Sequence, residues 1–504
     1  MSTEARDLPG EPEESPEVLE IKSSDVKTIG DLPEKISGSP KLEEIADVEI
    51  PEPIKDPVTR EDLRHRQFDD TEFWRRIPRF EDVSFEEFID FKFQNRNSVT
   101  SAKQLDEFLE GLVETEFLED VREGMALAPM NMRLSPYILS RVDWSNPYDD
   151  PIRIQFVPVA SSRLPDHPRL QLDSLHERQD SPVPGIVHRY TDKALFLPLD
   201  VCPVYCRFCT RSYAIGGNTD SVEKFRYTPN QDRWNEVFAY IASRPEIEDI
   251  VVSGGDAFML APPHLKHIGE TLLQIPHIRR IRLASKGPAV MPMKILTDHK
   301  WTDTLVELVE FGRKLHKEVC LHTHFNSTHE ISEITRQAMN LLFERGVKVR
   351  NQSVMIAGVN DDADETVQLV RQLSYMNVQP YYVYQHDMVK GVEDLRTAVR
   401  DTIEIERAVR GATAGFNTPV FVNDVPGGGG KRDVHSFDHY DPVTGVSVYR
   451  SPAVDDAKVY LYFDPIHRLP EEGRQRWADP AEQRKIVDEA VRDAGLEDME
   501  RATE

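Results

Sequence analysis

Between residues 186 and 425 short apolar runs alternate with amphipathic stretches, and this alternation limits the fold of the 504-residue chain more than any other feature. The apolar runs are Ala194–Leu199, Asp249–Ser253, Ile278–Ala284, Val319–Phe325, Val347–Val354 and Val378–Tyr384. Between them apolar positions recur at helical spacing near Asp232–Ser243, Pro263–Leu273, Asp303–Lys317, Glu330–Arg345, Asp364–Tyr375 and Val399–Arg410. Six strand–helix units at this spacing predict an α/β fold on a parallel sheet. In barrels of such units the functional residues sit at the C-terminal ends of the strands. A seventh apolar run, Thr418-Pro-Val-Phe-Val-Asn-Asp-Val425, leads into Gly427–Gly430 and Lys431.

The end of the first strand carries the strongest chemical signal. Three of only four cysteines, Cys202, Cys206 and Cys209, follow it with the spacing C-x3-C-x2-C. A loop there points three soft thiolates at one centre, which suits an iron–sulfur cluster or zinc. Structural zinc needs a fourth protein ligand and no cysteine lies nearby, so a [4Fe-4S] cluster with one open iron fits better, with zinc or buried thiols as the alternatives. Cys320 falls in a buried strand and reads as core.

Bulk composition narrows the partners. Net charge is -27 and no basic stripe stands out, which argues against a nucleic-acid surface. No apolar run approaches the roughly 20 residues that span a bilayer, and Met1–Arg6 begins no signal-peptide core, so a cytoplasmic protein is expected. Four cysteines, three of them clustered, make no disulfide framework. Residues 1–60 hold 16 Asp or Glu against 7 Lys or Arg with few aromatics, and are expected to be a disordered or loosely attached acidic arm. Residues 61–185 read as helical, with a capping-box pattern at Ser84 and Glu87, ending in an irregular Pro-rich connector from Asn146 to Pro184. Residues 186–425 are the parallel-sheet region and 426–504 a C-terminal segment, β-rich from His435 to Asp464 and ending in an acidic helix with a frayed end.

The cysteine triplet resembles the signature of radical S-adenosylmethionine enzymes. With His188-Arg-Tyr-Thr-Asp192 before it and Thr210-Arg-Ser212 after it, it is more narrowly similar to the lysine 2,3-aminomutase family. The similarity continues through Ser253-Gly-Gly-Asp256, His322-Thr-His-Phe-Asn326, Asn351-Gln-Ser353, Tyr381-Tyr-Val-Tyr-Gln-His-Asp387 and Asp424-Val-Pro-Gly-Gly-Gly-Gly-Lys431, roughly residues 60 to 450. It implies a partial (β/α)6 radical-SAM barrel, an N-terminal helical region and a C-terminal extension that binds pyridoxal phosphate. The implied reaction is interconversion of L-lysine and β-lysine by 1,2-amino migration. The same reaction on arginine, glutamate, another amino acid or a protein-attached lysine is the alternative, and an iron–sulfur binding protein without catalysis the non-enzymatic one.

The resemblance also implies roles. Cys202, Cys206 and Cys209 would bind the cluster, whose open iron chelates S-adenosyl-L-methionine, and Ser253, Gly254, Gly255 and Asp256 would line that cofactor. Lys431 would bond to pyridoxal 5'-phosphate, with Arg189 and Lys193 on the phosphate, although better-known relatives carry arginine at the second position. The P-loop alternative for Gly427–Lys431 fails because Val425 and Arg432 stand where Gly and Ser or Thr are needed. Arg211 would pair with the substrate carboxylate, and Asp387 with Asp424 would hold a distal ammonium. Asn326 and Gln352 would complete the cofactor shell, while His322 and His324 read equally well as core. A one-electron reductant of the flavodoxin or ferredoxin type is implied. No structural zinc is expected, since the C-terminal region has no cysteine and Asp362 stands where the family's barrel cysteine falls; a homo-oligomer stays open.

Overall fold

The computed structural model describes residues 61–502, so the acidic arm expected at 1–60 lies outside the described residues. Nine strands form one sheet in the order β1 to β9: Ile186–Tyr190, Lys193–Leu199, Asp249–Gly254, Arg280–Ala284, Glu318–Thr323, Lys348–Val354, Val378–Tyr384, Val420–Val425 and Gly430–Asp433. Strands β2 to β8 run parallel, and β1 and β9 are antiparallel edges. The sheet curls into a nearly closed, barrel-like partial barrel whose two edge strands do not pair with each other.

Each connection between the parallel strands carries one long helix, at Gln231–Ala242, Pro262–Gln274, His299–Lys314, Glu333–Glu344, Ala363–Tyr375 and Val399–Val409, and that between β4 and β5 adds the short helices Gly287–Val290 and Met293–Thr297. Their starts are written locally. Asn230 accepts from the Arg233 amide at 3.1 Å and Asp298 from that of Trp301 at 3.3 Å, each supplying an acceptor to an otherwise orphaned helical N–H. Asp362 accepts from the amides of Asp364 and Glu365 at 2.9 and 3.0 Å, so it is a helix cap. The inward faces bury Trp234, Ile268, Trp301, Leu305, Ile334 and Leu369 against the strands.

The N-terminal region packs on this core as short pieces. Ser84 caps Phe85–Ile89 through the Glu87 amide, while Phe73–Arg76 and Pro78–Phe80, within a stretch read as helical, are 3-10 turns. Trp74 stacks on Phe88 at 4.6 Å inside it, and Phe73 meets both rings edge-on. The connector is less irregular than its prolines suggest, because Asp150 caps a helix at Pro151–Phe156. C-terminally, β10 (His439–Asp441), β11 (Val446–Ser451), β12 (Asp455–Phe463) and β13 (Glu500–Arg501) form a second sheet covered by the helix Pro480–Asp493. The end read as frayed thus pairs at Glu500 and Arg501 with Lys458 and Val459. Tyr462 ties the second sheet to the barrel, donating to the His386 carbonyl at 2.9 Å. Among the described residues no helix is long and apolar enough to cross a membrane.

Candidate active site

The cysteine loop leaves the end of β2 and is anchored by main-chain bonds: the Tyr205 amide donates to the Arg133 carbonyl at 3.1 Å and the Arg207 amide to that of Gln155 at 2.9 Å. Arg207 also pairs with Asp394 at 2.8 Å. This fixes the loop between the helix Pro151–Phe156 and the stretch after β7. Cys202, Cys206 and Cys209 are reduced and partly buried. Burial pushes all three thiols up, and each lies within electrostatic reach of at least one of the others. Among the described residues no group of three or more His, Cys, Asp or Glu is gathered tightly enough to hold a metal ion. Three soft thiols carried on one anchored loop are donors of the kind that iron–sulfur clusters and zinc take.

Ser253-Gly-Gly-Asp256 ends β3 directly against this loop. A Cβ on Gly255 would stand 2.3 Å from the Val201 carbonyl oxygen, which explains glycine there without any ligand. The amides of Gly255 and Asp256 are spent on the carbonyls of Leu199 and Val201, at 2.7 and 2.9 Å. Asp256 accepts from the amides of Phe258 and Lys286 at 2.8 Å each. Burial raises its carboxyl in spite of these bonds, and it faces Cys202 and Cys206.

The second half of the site lies at the seam of the partial barrel. The glycine run is the ordered turn of the β8–β9 hairpin, with Gly427, Gly428 and Gly430 at positive φ. This pairing puts Lys431 beside Asp424, and its ammonium donates to Asp424 Oδ2 at 2.8 Å. From β1, the Tyr190 hydroxyl accepts from the Lys431 amide at 2.7 Å, and Arg189 Nη1 lies 3.8 Å from Asp424 Oδ1. The Lys431 ammonium also lies 5.5 Å from the ring of Tyr384. Burial lowers the pKa of Lys431, but Asp424 and the phenols of Tyr384 and Tyr190 outweigh it and raise it well above the usual lysine value. Burial raises Asp424, and Lys431 and Arg189 turn it to a net lowering.

Asp387, just beyond β7, faces the same space. Burial first and Asp424 second push its carboxyl up to about 8, against the opposing effect of Lys431. Shielded oxygens on Asp387 and Asp424 (Oδ1 of each) have no hydrogen-bond partner among the described residues. Arg211 lies within electrostatic reach of both aspartates. Its Nη2 donates to Oε1 of buried Glu177 at 2.6 Å, and its shielded Nε has no partner among the described residues.

The remaining expectations divide. Gln352 joins the site, its Nε2 donating to His322 Nδ1 at 3.1 Å and its Oε1 accepting from the Tyr384 hydroxyl at 3.4 Å. Burial pulls His322 down to about 3, so it is a neutral interior histidine. His324 stacks on Phe208 of the cysteine loop at 5.5 Å. Asn326 is committed elsewhere: Nδ2 donates to Gln155 at 3.0 Å and Oδ1 accepts from the Val354 amide at 3.0 Å, which locks the exits of β5 and β6 together. Arg189 is held by Asp180 at 2.8 Å and by the Leu175 carbonyl. Lys193 is half-exposed, bonded to Asp192 at 2.7 Å and 4.2 Å above the Tyr190 ring. Sequence reasoning missed Glu177 and Asp180, both in the connector, and the phenols of Tyr190 and Tyr384. The two tyrosines stand inside motifs already singled out, but nothing in their spacing shows which ring meets Lys431.

No protein-family model matches the chain. Among curated proteins it is 38% identical over 362 residues to the L-lysine 2,3-aminomutase of Clostridium subterminale, covering 71% of this chain and 81% of that one. It is 40% identical over 355 residues to that of Acetoanaerobium sticklandii, 70% of this chain and 80% of that one. The glutamate 2,3-aminomutase of Clostridioides difficile is 31% identical over 349 residues, 69% and 76% of the two chains. Similarity of this degree, across most of both lengths, shows that the chain belongs to the lysine 2,3-aminomutase family and is an isomerase of the aminomutase kind.

Proposed function

We propose that the protein is a radical S-adenosylmethionine and pyridoxal-phosphate enzyme that exchanges the 2- and 3-amino positions of an amino acid with a distal cation, L-lysine and β-lysine being the pair it interconverts. The observation that carries the substrate choice is the Asp387–Asp424 pair, two buried carboxyl groups whose Oδ1 atoms accept no hydrogen bond among the described residues. Asp424 already meets the cations Lys431 and Arg189, while Asp387 has no ion pair among the described residues, so a further ammonium is favoured beside Asp387 and an acidic side chain is penalised there. Arg211, on the same pocket, offers a guanidinium edge to the α-carboxylate.

Cys202, Cys206 and Cys209 would hold the cluster, Lys431 would carry pyridoxal phosphate, and Arg189 and Lys193 are the cations for its phosphate. When bound, the cluster with S-adenosylmethionine supplies hydrogen-atom abstraction and pyridoxal phosphate supplies the delocalisation that lets the amino group migrate. The chain's own residues bind and orient. In the cofactor-free chain Asp424 holds the Lys431 ammonium; once that nitrogen is taken up by pyridoxal phosphate, the carboxylate would be free to meet the distal ammonium of the substrate. Asp387, protonated near neutrality, loses its proton as the cation enters. Tyr190 and Tyr384 flank Lys431 and shield it from water. The reaction would run in the cytoplasm with a flavodoxin- or ferredoxin-type reductant.

The test is an anaerobic assay of the reconstituted protein with S-adenosylmethionine, pyridoxal phosphate and reductant against lysine, arginine, ornithine and glutamate, with β-amino acids detected by mass spectrometry. β-Lysine, lost in Asp387→Ala and Asp424→Ala, is the expected result. Preferential turnover of glutamate would refute the carboxylate-pair argument.

A further inference from the structure

Glu177 belongs to no motif singled out above, yet it is the most fully engaged carboxylate beside the pocket. It lies in the connector and is 3% exposed. Its amide donates to Asp173 Oδ1 at 2.9 Å and its carbonyl accepts from the Ser181 hydroxyl at 2.9 Å, so its backbone is pinned from both sides. Oε1 accepts from Arg211 Nη2 at 2.6 Å and Oε2 from the Tyr213 hydroxyl at 3.0 Å. Arg211 and Tyr213 are two residues apart just past the last cluster cysteine, so one carboxylate grips the exit of that loop at two points. The Arg211 Nε, shielded from solvent, has no partner among the described residues.

We propose that Glu177 is a positioning residue for substrate recognition: it holds the Arg211 guanidinium through Nη2 so that the N–H groups of this side chain, 18% exposed, stand ready for the substrate α-carboxylate. This rests on the reading of Arg211 as the α-carboxylate partner. A guanidinium on a flexible stem spends rotamer entropy to meet a carboxylate, and holding it in advance removes that cost from binding. The rest of the substrate does not need Glu177. Its effect therefore falls on ligands that carry an α-carboxylate and not on those that lack one.

The experiment uses the full-length reconstituted enzyme and measures KM and kcat for the amino acid that the unaltered enzyme turns over, together with inhibition by the matching decarboxylated amine, 1,5-diaminopentane in the case of lysine. Glu177→Gln keeps the shape and removes the charge. It is expected to raise KM by about 10-fold or more, the usual loss for a charge-assisted hydrogen bond, with the diamine inhibition constant changed less than about 3-fold. Glu177→Asp, which retains the charge on a shorter stem, should recover some of that KM. Iron content per chain, unchanged in both variants, separates the effect from collapse of the cysteine loop. Equal weakening of amino acid and diamine, or an unchanged KM, would overturn the proposal. No turnover of any amino acid by the unaltered enzyme would instead overturn the proposed function, and this inference with it.

Discussion

Replacing Asp387 by Asn should flatten the pH dependence of stability. The Asp387 carboxyl is pushed up to about 8 by burial and by Asp424, with Glu177 adding to them and Lys431 and Arg211 opposing. Its ordinary value is 3.8, so between these two values the folded chain holds a proton that the unfolded chain has released. Stability must then fall as pH rises, by up to about 1.4 kcal/mol per pH unit while the difference is a full proton. Integrated from pH 6 to pH 8, where the folded state begins to titrate, the loss is at most about 2 kcal/mol. Asp387→Asn removes the titration and keeps the shape. The assay is denaturant unfolding of the cofactor-free chain at several pH values, following the midpoint and slope for both proteins. The unaltered chain should lose up to about 2 kcal/mol more than the variant across that interval, since every other titrating group is common to both. Parallel curves, within about 0.5 kcal/mol, would refute the placement of an uncompensated carboxyl in this pocket.

Three further outcomes are expected. Lys431→Ala should abolish the visible absorbance of covalently held pyridoxal phosphate and reduce turnover by more than about 100-fold, while iron content stays the same. Gly255→Ala would force a methyl group to within 2.3 Å of the Val201 carbonyl oxygen, and is expected to cost about 1–3 kcal/mol and lower the iron bound per chain, as measured by unfolding and by metal analysis. Tyr190→Phe leaves the Lys431 amide without its acceptor and should lower stability by about 1–2 kcal/mol in an unfolding titration.

The six strand–helix units were legible because each is written in its own neighbourhood. The run Asp249–Ser253 and the pattern of Asp364–Tyr375 announce themselves within a dozen residues, and Asn230, Asp298 and Asp362 mark helix starts by the same local logic. The seam was not legible. β9 is four residues long and too short to show a period, and it is positive φ at three of the glycines before Lys431 that makes a hairpin turn of them. Phe73–Arg76 fell short of an α-helix because Pro78 ends the segment before a second turn can form. Within the candidate site, Lys431 and Asp424 were visible as a motif. Glu177 was not, since its partner Arg211 is 34 residues away and only the fold joins them. Ser253–Asp256 shows the converse: singled out for a cofactor, its glycines are also what lets two chain segments touch.

The unpaired edges of β1 and β9 set how the lysine is tethered. A closed barrel cannot separate neighbouring strands without breaking several ladder hydrogen bonds at once. Here, among the described residues, the polar contacts across the gap are the bond from the Lys431 amide to the Tyr190 hydroxyl and the long Arg189–Asp424 ion pair. Releasing them costs on the order of 1–3 kcal/mol. That figure is a few times thermal energy, whereas the seven parallel strands behind the gap are held by a continuous ladder. Lys431 therefore rides on a four-residue edge strand that the ladder with β8 holds on one side and that only these contacts hold on the other, so its side chain borders a gap that a closed barrel would have sealed.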